Sequence, residues 1–150
     1  MRPIVPRVAA VHDLSGFGRV SLTMIIPILS TMGIQVCPIP TAVLSTHTGG
    51  FENYKLIDLT EHLEEYIKHW YTLGIEFDCI YTGFLGSPRQ IDIISRFIND
   101  FYQKDQAAQF ILSAIRASYV YQYPQRAGVL LEKVLGNLNL PVVTSTCEIF

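Results

Sequence analysis

Residues 8–24 have the sequence Val8-Ala-Ala-Val-His-Asp-Leu-Ser-Gly-Phe-Gly-Arg-Val-Ser-Leu-Thr-Met24. A short apolar run, a turn rich in Gly and Ser and an apolar segment with helical spacing predict a strand, a loop and a helix. Ligands of open parallel sheets bind beyond the carboxyl ends of the strands, so the loop that holds Asp13 and Ser15 is a candidate binding loop. The alternative is a plain strand-to-helix turn with a capping Asp or Ser.

The glycine spacing of this loop narrows the class of ligand. Gly16 and Gly18 are its only glycines, and position 21 is Ser21, so the Gly-x-Gly-x-x-Gly fingerprint of dinucleotide-binding proteins is absent. We therefore expect a small polar ligand and not a nicotinamide cofactor.

Composition excludes several other function classes. The chain has 150 residues, of which 49% are hydrophobic and 16% charged, which is enough for one domain with a sizeable core. A net charge of −2 without a Lys/Arg cluster argues against a nucleic-acid partner or an anionic membrane surface. Three dispersed cysteines suggest neither disulfides nor zinc, no segment has the length of a membrane span, and a cytoplasmic location is expected.

The order of predicted elements indicates an α/β fold. A helix over residues 20–32 is followed by a strand at 34–38 and a short apolar run from Pro40, and a capping box at Asp58 and Glu61 predicts the next helix. A strand at 77–82 then precedes a helix that begins at Ser87-Pro88 and ends near Tyr102. This alternation is typical of a parallel sheet covered by helices.

Two further loops offer candidate site residues. Ser45, His47 and Thr48 supply hydroxyls and an imidazole just before a Gly-Gly pair, which lets the backbone approach a ligand. Phe84 follows the strand at 77–82 and could stack on a planar ligand. The alternatives are a surface or structural histidine for His47 and a packing aromatic for Phe84.

The alternation stops after about residue 104. Residues 106–119 and 128–138 both have helical periodicity, and we expect no strand between them, while the tail 139–150 is either irregular or an edge strand. The prediction is a single shortened domain, with an α/β part at 1–104 and a C-terminal helical part at 105–150.

Three stretches carry a resemblance to a known family: Val11-His-Asp-Leu-Ser-Gly-Phe-Gly-Arg-Val-Ser-Leu-Thr23, Leu44-Ser-Thr-His-Thr-Gly49 and Tyr81-Thr-Gly-Phe84. In their order and spacing they resemble the pyridoxal/pyridoxamine (vitamin B6) kinases of the ribokinase-like superfamily. The segment Gln125-Arg-Ala-Gly-Val-Leu-Leu-Glu-Lys133 resembles the closing helix of the same family. The implied fold is a parallel-sheet ribokinase-like layer with covering helices, incomplete here.

The resemblance implies a set of substrate-binding residues. Asp13 stands where a polar residue, often Ser, contacts the substrate's pyridine ring. Thr48 matches a Thr beside that ring, and Phe84 matches an aromatic that flanks the pocket. Ser45 and His47 match the polar pair of the second loop.

The family's catalytic segment has no counterpart in this sequence. Such kinases carry an Asp-Pro-Val-Met-Gly-Asp-like strand end and a Gly-Thr-Gly-Asp turn, whose amides form an anion hole and whose Asp accepts the hydroxymethyl proton. The 150 residues contain no Asp-Pro and no Gly-Asp dipeptide. No catalytic residue and no metal ligand is therefore assigned, although the family implies ATP and Mg²⁺.

The implied activity is ATP-dependent phosphorylation of the 5′-hydroxymethyl of pyridoxal, pyridoxine or pyridoxamine, and we expect this chain alone to be inactive or impaired. Two alternatives remain: a non-catalytic module that binds the vitamer, and a relative of the hydroxymethylpyrimidine kinases. The expected partner is a small molecule, and a homodimer, which the family commonly forms, is also open.

Overall fold

The computed structural model describes residues 5–104, 109–113 and 143–145. Six strands and three helices lie in these residues: β1 (Arg7–Phe17), α1 (Leu22–Thr31), β2 (Gln35–Thr46), β3 (Leu56–Asp58), α2 (Thr60–Thr72), β4 (Cys79–Thr82), α3 (Pro88–Lys104), β5 (Gln109–Ser113) and β6 (Val143–Ser145).

The strands form one sheet in the order β3-β2-β1-β4-β5-β6. Every neighbouring pair is parallel except β2 and β3, which are antiparallel. The predicted α/β class with a parallel sheet is therefore confirmed. Among the described helices, none is long and apolar enough to cross a membrane.

Helices cover both faces of the sheet, which explains why its first strand begins as an apolar run. Ala10 packs with α1 residues, whereas Ala9 and Val11 pack with residues of α2 and α3. Successive strand residues point to opposite faces, so a strand buried on both faces needs apolar residues at every position. Residues 8–11 meet this requirement and are all buried.

The first two strands are longer than the sequence predicted. The predicted loop at residues 13–17 is part of β1, because Leu14, Ser15 and Phe17 pair with residues of β2. The predicted strand at 34–38 and the run from Pro40 form one continuous strand, β2. Polar and glycine residues have low intrinsic strand propensity, so pairing with a neighbouring strand decides these segments.

The helix predicted over residues 106–119 is wrong for 109–113, which form β5 and pair with β4. An apolar run of this length suits a buried parallel strand as well as a helix, and periodicity does not separate the two. In the tail, residues 143–145 form β6 at the edge of the described sheet. The helix predicted over 128–138 lies outside the described residues.

Candidate functional site

Asp13 lies near the carboxyl end of β1, at an irregularity in its pairing with β2. His12 pairs with Pro40 and Leu14 with Val43, so β2 contains one more residue than β1 across this interval. Such a bulge turns side chains away from the regular pleat and is frequent beside functional sites. The Asp13 side chain is buried, with 6% of its residue surface exposed.

Two side chains lie within hydrogen-bond distance of the Asp13 carboxylate. Ser15 Oγ lies 3.1 Å from Oδ2, on the same strand face because it is two residues further on. His12 Nδ1 lies 2.8 Å from Oδ1, and Ser21, at the N-terminus of α1, also lowers the pKa of the Asp13 carboxyl. Burial raises the pKa of Asp13, but these bonds and the attraction of His12 outweigh it and leave the pKa below its ordinary value. Asp13 is therefore an ionised carboxylate at neutral pH.

Three groups meet at His12 Nδ1: the Asp13 carboxylate and the backbone N–H groups of Asp13 and Phe84. A carboxylate only accepts hydrogen bonds, so the contact with Asp13 Oδ1 is a hydrogen bond when Nδ1 carries a proton. When Nδ1 carries no proton, it accepts instead the backbone N–H groups of Asp13, at 3.1 Å, and Phe84, at 3.3 Å. The other edge of the ring lies against Gly83, where a Cβ would be 2.6 Å from Cε1 and closer still to Nε2. Gly83 thus makes room for the imidazole that holds Asp13.

Phe84 is half-buried and is fixed through its backbone. Its carbonyl oxygen accepts a hydrogen bond from Thr41 Oγ1 at 2.9 Å, and Thr41 is fully buried in β2. The bulge that displaces Asp13 also involves Thr41, so one irregularity of the sheet serves both residues.

Gln90 holds the rest of the connection between β4 and α3. Its side chain is fully buried, its Oε1 accepts the Gly86 N–H at 2.7 Å, and its Nε2 donates to the Thr41 carbonyl at 2.9 Å and to Thr60 Oγ1 at 2.8 Å. Sequence analysis missed Gln90, because a polar residue in the first turn of an amphipathic helix normally predicts a surface position.

The second predicted loop, at the end of β2, is held by contacts different from those around Asp13. Ser45 is exposed, and its Oγ accepts the N–H of Lys55, which aligns the chain that returns to β3. The ring of His47 packs against Gly18 and Phe51, and Thr48 is exposed in the bend that follows β2.

All five predicted site residues lie at the edge of the sheet where the parallel strands end. Within it, the structure links Asp13 to Phe84 through His12, whereas Ser45, His47 and Thr48 form a separate group after β2. That these groups line one cleft stays a prediction. Sequence analysis also missed His12. The available signal was Gly83, directly after β4, because a glycine at a strand end often marks a place where another group approaches the backbone closely.

No group of three or more His, Cys, Asp or Glu side chains in the described residues could hold a metal ion.

No protein-family model and no curated protein matches the sequence. Solved structures do match. A protein from Bacteroides thetaiotaomicron described as a phosphomethylpyrimidine kinase, crystallised with pyridoxal, is 55% identical over 73% of this chain and 37% of its own, with a TM-score of 0.69. A second crystal form of the protein so described is 39% identical over 96% of this chain and 50% of its own, with a TM-score of 0.81.

Other solved structures are more distant. Pyridoxal kinase from Lactobacillus plantarum is 27% identical over 75% of this chain and 38% of its own, with a TM-score of 0.64. Pyridoxal kinase from Leishmania donovani, in complex with ADP and pyridoxamine, is 15% identical over 93% of this chain and 50% of its own, with a TM-score of 0.77, and it shows the fold alone.

The chain spans about half the length of these proteins or less. Its parallel sheet and helices align with theirs over the part it spans. The chain therefore belongs to the ribokinase-like superfamily, whose pyridoxal kinases and phosphomethylpyrimidine kinases are its structural neighbours.

Proposed function

We propose that this chain carries the substrate-binding side of a vitamin B6 kinase, an enzyme that phosphorylates the 5′-hydroxymethyl of pyridoxal, pyridoxine or pyridoxamine. The observation that carries the proposal is the buried, ionised Asp13 at the carboxyl end of β1, with Phe84 joined to it through His12. Strand ends of parallel sheets are where ligands of such folds bind.

The chemistry of Asp13 fits a ring that presents one hydrogen-bond donor. A carboxylate has about four acceptor positions, and the contacts with His12 and Ser15 use two of them. A position that remains can accept a hydrogen bond from a pyridinium N–H or a ring hydroxyl. Phe84 would lie beside the ring and Thr48 would close the pocket from the second loop.

Calorimetry with pyridoxal, and with pyridoxine as a second vitamer, tests this pocket. Asp13→Ala should weaken binding by about 1–3 kcal/mol, or one to two decades in Kd, because it removes a charge-assisted hydrogen bond. Glu65→Ala, which removes an exposed carboxylate on α2, serves as the control and should bind like the wild type. If Asp13→Ala folds and binds with unchanged affinity, Asp13 has only a structural role at the end of β1.

We further propose that this chain alone does not turn over ATP and vitamer at a measurable rate. Phosphoryl transfer needs an anion site and a general base in line with the acceptor hydroxyl, and the sequence has no Gly-Asp dipeptide that would supply the family's pair. Losing each element costs about 10²–10⁴-fold. The described residues offer no carboxylate cluster for Mg²⁺ either, so we assign no residue to the metal or the nucleotide.

A chromatographic assay for the phosphate ester, with purified chain, ATP, Mg²⁺ and vitamer, decides between enzyme and binding module. Absence of product together with micromolar vitamer binding would support a module that binds without catalysis. Steady multiple turnover would show that a base and an anion site exist in this chain after all.

The second candidate substrate class is the hydroxymethylpyrimidines, because the relative that is 55% identical is described as a phosphomethylpyrimidine kinase. The same relative was crystallised with pyridoxal, which favours the vitamers. Competition between pyridoxine and hydroxymethylpyrimidine for this chain separates the two, and tighter binding of the pyrimidine would reverse the assignment.

A further inference from the structure

The ring of His47 occupies the space that a side chain at position 18 would fill. A Cβ on Gly18 would lie 3.1 Å from His47 Cγ and Cε1 and closer still to Nδ1. Gly18 also has a φ of +97°, which residues other than glycine rarely adopt. Position 18 thus needs glycine for two independent reasons, and one of them is the imidazole.

Further contacts extend this packing along the loop that follows β2. The His47 N–H donates to the Phe17 carbonyl at 3.1 Å, its ring meets Phe51 edge-on at 4.9 Å, and Phe51 meets Phe17 at 5.6 Å. His47 and Phe51 thus attach the two ends of the segment 47–51 to residues 17 and 18 of the first loop. Thr48 lies between these two anchors and is itself exposed.

The imidazole is held by shape and not by its nitrogens. His47 Nδ1 is buried and has no hydrogen-bond partner among the described residues. Buried polar atoms usually have a hydrogen-bond partner, so hydrogen bonding does not explain the position of this ring. The packing is therefore best explained by where it puts the rest of the loop.

We propose that His47 is a positioning residue, whose ring seats on Gly18 and thereby fixes Thr48 over the end of β1. The proposal rests on the proposed function, because the loop so fixed closes the vitamer pocket. It differs from the sequence-based expectation that His47 contacts the substrate. Asp13 then accepts a hydrogen bond from the substrate ring, whereas His47 sets the position of Thr48.

A double-mutant cycle of Gly18→Ala, His47→Ala and both together tests the proposal, with pyridoxine as the probe because it lacks an aldehyde that could react with lysines. Each single variant should weaken binding about tenfold, and the double variant should be no weaker than His47→Ala, because either change releases the same contact. Gly33→Ala is the matched control: Gly33 also has a positive φ, of +79°, but open space around its Cβ. It should lower stability and leave the affinity unchanged.

Melting temperatures measured on the same variants separate positioning from stability. A folded Gly18→Ala or His47→Ala that binds pyridoxine like the wild type overturns the proposal, as do losses that add in the double variant. Should Gly18→Ala fail to fold, His47→Ala alone still decides, since it introduces no clash.

NMR makes failure of this inference distinguishable from failure of the proposed function. If the wild type binds no vitamer, the proposed function fails, whereas the seating of His47 is still tested by its ring protons, which Phe51 should shift. Gly18→Ala should abolish that shift and move the amide signals of residues 48–50, while Gly33→Ala should do neither. Unchanged signals in Gly18→Ala would overturn the positioning role.

Discussion

Two histidines at the carboxyl edge of the sheet each fill the space left by a glycine, and they are held by different forces. His12 lies against Gly83 and has a charged partner, the Asp13 carboxylate at 2.8 Å. His47 lies against Gly18 and the ring of Phe51, and its Nδ1 is unpaired among the described residues. The first contact joins β1 to the connection after β4, and the second joins it to the loop after β2.

The two contacts should differ in how strongly they resist opening. A buried carboxylate that loses a hydrogen-bond donor pays a desolvation penalty, so the His12 contact resists opening. A ring held by packing alone loses only dispersion and apolar burial when it moves. We therefore expect the Asp13 side of the site to be rigid and the Thr48 side to be the part that adjusts.

The largest expected effect is that of Gly83→Ala. The added methyl would overlap the His12 ring, and the loss of stability should be about 3 kcal/mol, at the upper end of the cost of overpacking. Urea denaturation measures it. Gly86→Ala, in the same connection, is the control, because its Cβ would meet Phe84 Cε1 at an ordinary 3.4 Å and stability should hardly change. Equal midpoints for the two variants would mean that His12 moves aside freely.

The next effect is the removal of the imidazoles themselves. His12→Ala should cost about 2 kcal/mol, since it leaves the Asp13 carboxylate short of a donor, whereas His47→Ala should cost about 1 kcal/mol from lost packing. Thermal and urea unfolding check the order, with His62→Ala on the exposed face of α2 as the neutral control. A larger loss for His47→Ala than for His12→Ala would show that the hydrogen-bonded contact of His12 is not the stronger one.

Low pH should remove the stability that the ionised Asp13 carboxylate contributes beside His12. The pKa of Asp13 is lower in the folded chain than its ordinary value of 3.8, so its ionisation contributes stability that is fully present above about pH 4. This contribution disappears as the pH falls from about 4 through the lower folded pKa. Urea midpoints between pH 7 and pH 3 should therefore fall more steeply for the wild type than for Asp13→Asn, and parallel curves would show that Asp13 makes no net contribution.

The smallest expected effect is the backbone strain that alanine causes at a glycine with positive φ, where no ring lies close. Gly33 and Gly74 have φ values of +79° and +62°, and a Cβ at either would meet open space. Gly33→Ala and Gly74→Ala should each lower stability by about 1 kcal/mol, which is the strain of a left-handed residue. Subtracting this value from the loss in Gly18→Ala gives the share that is due to His47, and a difference of zero would remove the His47 contact as a cause.

Several local predictions from sequence are confirmed, because the residues concerned act through their own backbone. Pro88 is the first residue of α3 and Ser87 Oγ accepts the Gln90 N–H, as the Ser-Pro pair predicted. The apolar run at 8–11 is a buried strand. Asp58 does accept the Thr60 N–H at the start of α2, although it belongs to β3 and not to the helix cap.

Two predictions failed because a partner strand decides the local structure. Residues 13–17 have little strand propensity and lie in β1 because β2 pairs with them, and residues 109–113 are in β5 because β4 does. In each case an inter-strand ladder, invisible in the local pattern, supplies the hydrogen bonds that the backbone needs.

The sequence by itself therefore determined the class of fold, the buried strand at 8–11 and the start of α3 at Pro88, since these follow from periodicity and capping. The five candidate site residues came from the composition of the loops and the resemblance to the kinase family. Only the tertiary structure decided that His12 holds Asp13, that Gln90 holds the connection after β4, and that Gly18 and Gly83 receive imidazole rings. The physical reason is that these contacts join residues far apart in the chain. Parallel strands bring their ends together only when the whole sheet has formed.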